Sequence, residues 1–157
     1  MSIHQASLQS SEDRAEILRL NRDFTRESGV TVEANHSEGL EQLLLTHPTL
    51  FAFIARNEAG DAIGYALCQY TISSFAPGRV ANVHDLYVEP NSRRQGVAHE
   101  LLAHFERAAR ENQCKRLSLE VNYGNVQAQK LYRELGFSDG SDDRNGDATW
   151  FWIKPLP

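Results

Sequence analysis

The chain has 157 residues, a formal net charge of −5, and 41% hydrophobic against 24% charged residues, an ordinary balance for one globular domain spanning residues 1–157 with one core. The acidic excess argues against sequence-independent nucleic-acid binding, which needs a basic footprint. No apolar run is long enough to cross a membrane as a helix, and Met1-Ser-Ile-His-Gln5 has no basic segment followed by an apolar one, so neither a membrane nor a secretory role is expected and a cytoplasmic location is.

Residues 2–8 suit a short first strand, marked by Ile3 and Leu8. Ser10-Ser-Glu-Asp13 has the hydroxyl and the acidic first turn of a helix start. Ile17, Leu18, Leu20 and Phe24 give that helix an apolar stripe, and Gly29 ends it. A second helix is expected through Glu38–Leu45, stopping before Pro48. Leu50–Arg56 and Ala62–Ile72 are β-rich and flank the turn Asn57-Glu-Ala-Gly60, the pattern of an antiparallel hairpin. After a loop over 73–79, Val80–Val88 is the next strand, residues 96–112 a helix, Arg116–Val121 an alternating strand, and Asn125–Leu135 a helix closed by Gly136. Asp139–Gly146 is a polar loop and Thr149-Trp-Phe-Trp-Ile153 a last strand. Strands interleaved with helices in this order imply one mixed α/β sheet, with a parallel crossover over 80–121. Cys68 and Cys114 lie far apart and match no metal or redox spacing, so they are expected to be free thiols in a reducing compartment. No metal site is expected; His99 and His104 are five apart and do not share a helical face.

The richest stretch joins the strand Val83-His-Asp-Leu-Tyr-Val88 to the turn Arg93-x-x-Gly96-x-Ala98 and then to a helix carrying Leu101, Leu102, Phe105 and Ala108 on one face. The first N–H groups of a helix have no intrahelical partner, and the helix dipole is positive at that end. Gly96 and Ala98 let a phosphate come close to the backbone, and Arg93 and Arg94 add cationic donors. These residues read as a pyrophosphate cradle.

With Asn125-x-x-Ala128-x-x-Leu131-Tyr132 about thirty residues downstream and Leu135-Gly136-Phe137 after it, the chain resembles the GNAT superfamily of acetyl-CoA-dependent N-acetyltransferases. The resemblance covers residues 80–140 closely and the first half in element order only. It implies a mixed, mostly antiparallel sheet of six to seven strands flanked by about four helices, with a V-shaped splay between the fourth and fifth strands. It implies that Arg93, Arg94, Gln95, Gly96, Val97, Ala98 and His99 surround the CoA pyrophosphate, and that Leu86, Tyr87 and Val88 pair their backbone with the pantetheine arm. Asn125 and Ala128 would meet the cofactor from the following helix. Tyr132 would protonate the leaving thiolate. A bulge in the sheet would aim an N–H at the thioester carbonyl. The implied reaction is direct transfer of acetyl from acetyl-CoA to a primary amine, with a small-molecule amine as partner and no metal. Homodimerisation is a family-level expectation.

An alkylamine is mostly protonated at neutral pH and cannot attack until it loses a proton. Asp85 is the first candidate for base or amine ligand, His84 the second, and Glu120 a third through a water relay. Strand alternation predicts that His84 and Asp85 face opposite sides. The Asp-Leu-Tyr-Val strand resembles the diamine and polyamine branch, where two adjacent acids stand at these positions; His84 departs from that pattern. Glu33, His36 and Glu38 lie near the segment where the family builds its acceptor wall. The alternatives are a non-catalytic CoA-binding sensor or subunit, and acetylation of a protein lysine or N-terminus.

Overall fold

The computed structural model describes residues 1–74, 77–121 and 124–137. Two compact units, Met1–Glu120 and Val121–Pro157, are described separately. In the first, β1 (Ser2–Gln5) leads to α1 (Ser11–Ser28), α2 (His36–Thr46), β2 (Leu50–Arg56), β3 (Ala62–Ser73), β4 (Gly78–Val88), a 3-10 turn at Pro90–Ser92, α3 (Val97–Glu111) and β5 (Arg116–Leu119). In the second, α4 spans Val126–Glu134.

Local chemistry sets the helix ends. The Ser10 hydroxyl accepts from the Asp13 N–H, and Gly29 closes α1 in the left-handed conformation at φ 67°. Ile17 and Leu20 turn the α1 stripe fully into the core.

The sheet order is β1-β2-β3-β4-β5. The first three junctions are antiparallel and the last is parallel. The sheet is covered on both faces, which is why β2 reads as an unbroken apolar run. Ala52 and Ile54 join Ile17, Leu20, Leu44, Tyr65, Leu67 and Tyr87 in one cluster beneath α1 and α2. Phe51 and Phe53 point the other way, where Phe51 stacks on Phe105 of α3 at 6.2 Å and Phe53 meets the edge of His104.

The mixed sheet and four helices match expectation, but among the described residues the sheet has five strands rather than six to seven. The expected loop over 139–146 and strand over 149–153 lie outside the described residues. Cys68 is buried and Cys114 partly so, both as free thiols; burial pushes both thiols up from their ordinary pKa.

Candidate active site

Three features converge on β4. The first is an open edge. The parallel ladder with β5 pairs Val80 with Arg116 through Val83 with Leu119 and stops there. β4 runs on to Val88 while β5 has ended, so the stretch from His84 to Val88 has no strand on that side among the described residues. All four residues of β5 are paired, so the ladder ends with the strand itself rather than by divergence of the two, and main-chain groups of β4 beyond Val83 lack a strand partner on that side among the described residues. Glu120 is exposed just beyond the end of β5.

The second feature is a bulge. Leu67 of β3 pairs with Asp85 and Cys68 pairs with Val83, so His84 is an extra residue in β4. A bulged residue drops out of the ladder and bends its strand. The bulge also corrects the alternation argument. His84 Nε2 lies 3.1 Å from Gln69 Oε1, and Gln69 projects from the same face of β3 as Leu67, the partner of Asp85. His84 and Asp85 therefore share the face covered by α1 and α2 instead of lying on opposite faces.

On that face Asp85 is held in a polar cluster. Its Oδ2 accepts from the Tyr65 hydroxyl at 3.0 Å and from Asn21 Nδ2 at 3.2 Å. Asn21 Nδ2 also donates to the Tyr65 hydroxyl at 3.0 Å, and Asn21 Oδ1 lies 2.9 Å from His36 Nε2. Burial raises the Asp85 carboxyl above its ordinary pKa, against the opposing pull of the Tyr65 bond, His84, the Asn21 bond and His36. Burial, reinforced by Asp85, pushes Tyr65 far up, so its hydroxyl stays a donor.

Asp85 Oδ1 accepts no hydrogen bond from the described residues. None of their buried side-chain polar atoms lacks a partner, so this oxygen reaches solvent. Glu33 and Glu38 are exposed, whereas His36 opens α2 and is half-buried.

The third feature is the turn into α3. Arg94 at φ 59° and Gly96 at φ 83° are both left-handed. Gly96 is the N-cap of α3 and supplies no side-chain cap. Among the described residues the backbone N–H groups of Arg94 through Ala98 have no acceptor. Alternating conformations of this kind make an anion-binding concavity, here added to the positive end of a helix. Gln95 steadies the turn by donating from Nε2 to the Asn91 carbonyl at 2.9 Å. Arg93 turns toward α1: Nε donates to the Val88 carbonyl at 2.8 Å, Nη2 to Glu27 at 2.6 Å, and the guanidinium lies over the Tyr87 ring. It ties the turn to the domain, while Arg94 has no ion pair among the described residues. His99 is exposed on the first turn of α3.

In the second unit Asn125 caps α4, its Oδ1 accepting from the Ala128 N–H at 3.1 Å. Tyr132 is buried with its ring edge-on to Phe137 at 6.0 Å, and burial raises its hydroxyl pKa.

The sequence profile of the Acetyltransferase (GNAT) family matches residues 14–137. The chain belongs to the GNAT acetyltransferase family. It is 27% identical over 143 residues to the uncharacterized N-acetyltransferase YhfO of Bacillus subtilis, covering 88% of this chain and 91% of that one. It is 29% identical over 110 residues to the aminoglycoside N(6')-acetyltransferase type 1 of Serratia marcescens, covering 68% and 74%. It is 26% identical over 136 residues to the thialysine N-epsilon-acetyltransferase of Bos taurus, covering 81% and 79%. A crystal structure described as that of "a probable acetyltransferase" superposes with a TM-score of 0.81 at 25% identity, covering 99% of this chain and all of that one.

Asn21 and Tyr65 escaped the sequence reading. One signal was available: Asn21 stands four residues after Ile17 and three before Phe24, a polar residue inside the apolar stripe of α1.

Proposed function

We propose that this GNAT acetyltransferase transfers the acetyl group of acetyl-CoA to a primary amine of a small molecule by direct attack, with residues 1–157 acting as a single N-acetyltransferase domain. One observation carries the reading. Among the described residues β4 offers an open main-chain edge leading to the converging N–H groups of the turn into α3, and the same strand holds Asp85 with one carboxylate oxygen open to solvent. A linear cofactor along the edge and an amine at the carboxylate then meet at the bulge.

The residues fit the cofactor. The N–H groups of Arg94–Ala98, without an acceptor among the described residues, and the Arg94 charge suit a pyrophosphate. Leu86–Val88 suit the amides of pantetheine, and Asn125 and Ala128 would meet the cofactor from α4. Asp85 binds the ammonium form of the acceptor and takes its proton as the nitrogen lone pair attacks the thioester carbonyl carbon. The bulge at His84 would aim a main-chain N–H of β4 at the developing oxyanion. The C–N bond forms, the nitrogen gives up its second proton to solvent, the C–S bond breaks, and Tyr132 gives the departing thiolate its proton and regains one from solvent. The thioester is already activated, so orientation and oxyanion stabilisation supply most of the rate. Relatives named for aminoglycosides and thialysine support a small polyamine-like acceptor.

The test is thiol release from acetyl-CoA against thialysine, aminoglycosides, spermidine and short lysine peptides, with CoA binding followed by calorimetry. Turnover on a small amine supports the reading. Turnover on peptides alone would overturn the small-molecule acceptor, and absence of CoA binding would overturn the cradle.

A further inference from the structure

Asn21 is the one buried polar residue among those described, 5% exposed beside Ile17 and Leu20 at 0%. A buried amide without partners is costly, so its bonds define what it does there. The Asn21 carbonyl oxygen only accepts, so His36 Nε2 must carry the hydrogen of their 2.9 Å contact. Asn21 Nδ2 donates to the Tyr65 hydroxyl and to Asp85 Oδ2, and the Tyr65 hydroxyl donates to the same oxygen. Every hydrogen in the set points one way, from α2 through α1 toward Asp85 Oδ2. The reverse amide orientation would set the Asn21 oxygen against the carboxylate. Both donors thus occupy Oδ2, and Oδ1 is left to solvent.

We propose that Asn21, held by His36, is a positioning residue that fixes the Asp85 carboxylate with Oδ1 turned to the acceptor amine. This rests on the acceptor-side role of Asp85 proposed above. A proton taken from the amine lands on Oδ1, because Oδ2 is committed to two donors. The arrangement also fixes the residue type at position 21. An aspartate would put a second negative charge about 3 Å from Asp85, and a leucine would leave both Oδ2 and the Tyr65 hydroxyl short of a donor. The groups facing Asp85 are Tyr65 from β3, Asn21 from α1, His36 from α2 and His84 from its own strand.

Carbon-13 carboxyl NMR titration of the full chain tests this without any acceptor, with Asp85→Asn identifying the resonance. Loss of a donor destabilises the carboxylate, so Asn21→Ala moves the Asp85 midpoint up by about one pH unit. His36→Leu moves it the same way by less. His36→Gln removes the same charge as His36→Leu, yet its amide can still donate to Asn21 Oδ1, so it titrates below His36→Leu, and the gap between the two reads the donor alone. An unmoved midpoint in both Asn21→Ala and His36→Leu overturns the proposal. If Asn21→Ala does not fold, the comparison of His36→Leu with His36→Gln decides, and equal midpoints in the two overturn the proposal. Failure of the underlying functional reading looks different, since Asp85→Asn would then leave turnover intact.

Discussion

Gly96 shapes the turn proposed as an anion cradle, and its replacement separates backbone strain from steric clash. A Cβ built on Gly96 meets nothing within 4 Å, so an alanine collides with no described neighbour. The cost is the backbone: at φ 83° an L-residue sits in the left-handed region, unfavourable by about 1–2 kcal/mol. The stiffer unfolded chain of alanine returns about 0.4–1 kcal/mol, leaving about 1 kcal/mol. A β-branched residue costs more, so Gly96→Val is the sharper variant. If the turn relaxes to relieve the strain, the N–H groups of Arg94–Ala98 cease to converge and CoA affinity falls about tenfold for each 1.4 kcal/mol lost. If the turn holds, the strain appears as a Tm lower by roughly 2–4 °C per kcal/mol at this chain length. Gly60, in the β2–β3 turn at φ 92° and equally free of neighbours, is the control: Gly60→Val lowers Tm and leaves CoA affinity alone. Calorimetric CoA titration and thermal melting of Gly96→Ala, Gly96→Val and Gly60→Val make the comparison. Wild-type affinity together with wild-type Tm in Gly96→Val refutes the reasoning. Equal loss of CoA affinity in Gly60→Val refutes it too.

Tyr132→Phe lowers kcat at saturating acetyl-CoA by about ten- to a thousandfold, while an unchanged kcat removes Tyr132 as the acid. Asp85→Asn lowers turnover by about 10²–10⁴-fold yet raises Tm at neutral pH. The sign follows from linkage: the folded pKa of Asp85 lies above its ordinary value of 3.8, so its favourable contribution is complete below 3.8 and is lost as pH rises through the folded value. The Tm gain of the variant therefore shrinks toward pH 3, and a gain that persists there sinks the argument. Phe105→Ala empties a site at 0% exposure against Phe51 and costs about 3–5 kcal/mol in denaturant unfolding; a loss under 1 kcal/mol would show that α3 does not anchor that face.

Features written in neighbouring residues were legible in the sequence. Ser10 and Gly29 bracket α1 because caps act within one turn, and Leu50–Arg56 forms β2 because both its faces are buried. The turn that opens α3 was legible for the same reason, since Gly96 and Ala98 lie within one turn of chain, whereas the turning of Arg93 toward Glu27 and Tyr87 depends on α1 and was not. The bulge at His84 was not. It exists only in the register between β3 and β4, and without it alternation gave the wrong face. The Asp85 cluster was hidden likewise: Asn21, His36 and Tyr65 come from separate elements, and only tertiary packing brings them to one carboxylate.

α3 begins without a cap of its own, and that bears on how much folded protein exists. A helix whose first turn is finished by a metabolite has lent part of its stability to that metabolite's concentration. A ligand that binds only the native form adds about 2.7 kcal/mol at a hundred times its Kd, comparable to a substantial core mutation. On the cofactor role proposed above, proteolysis of the unfolded fraction would make the abundance of the chain follow the occupancy of that turn.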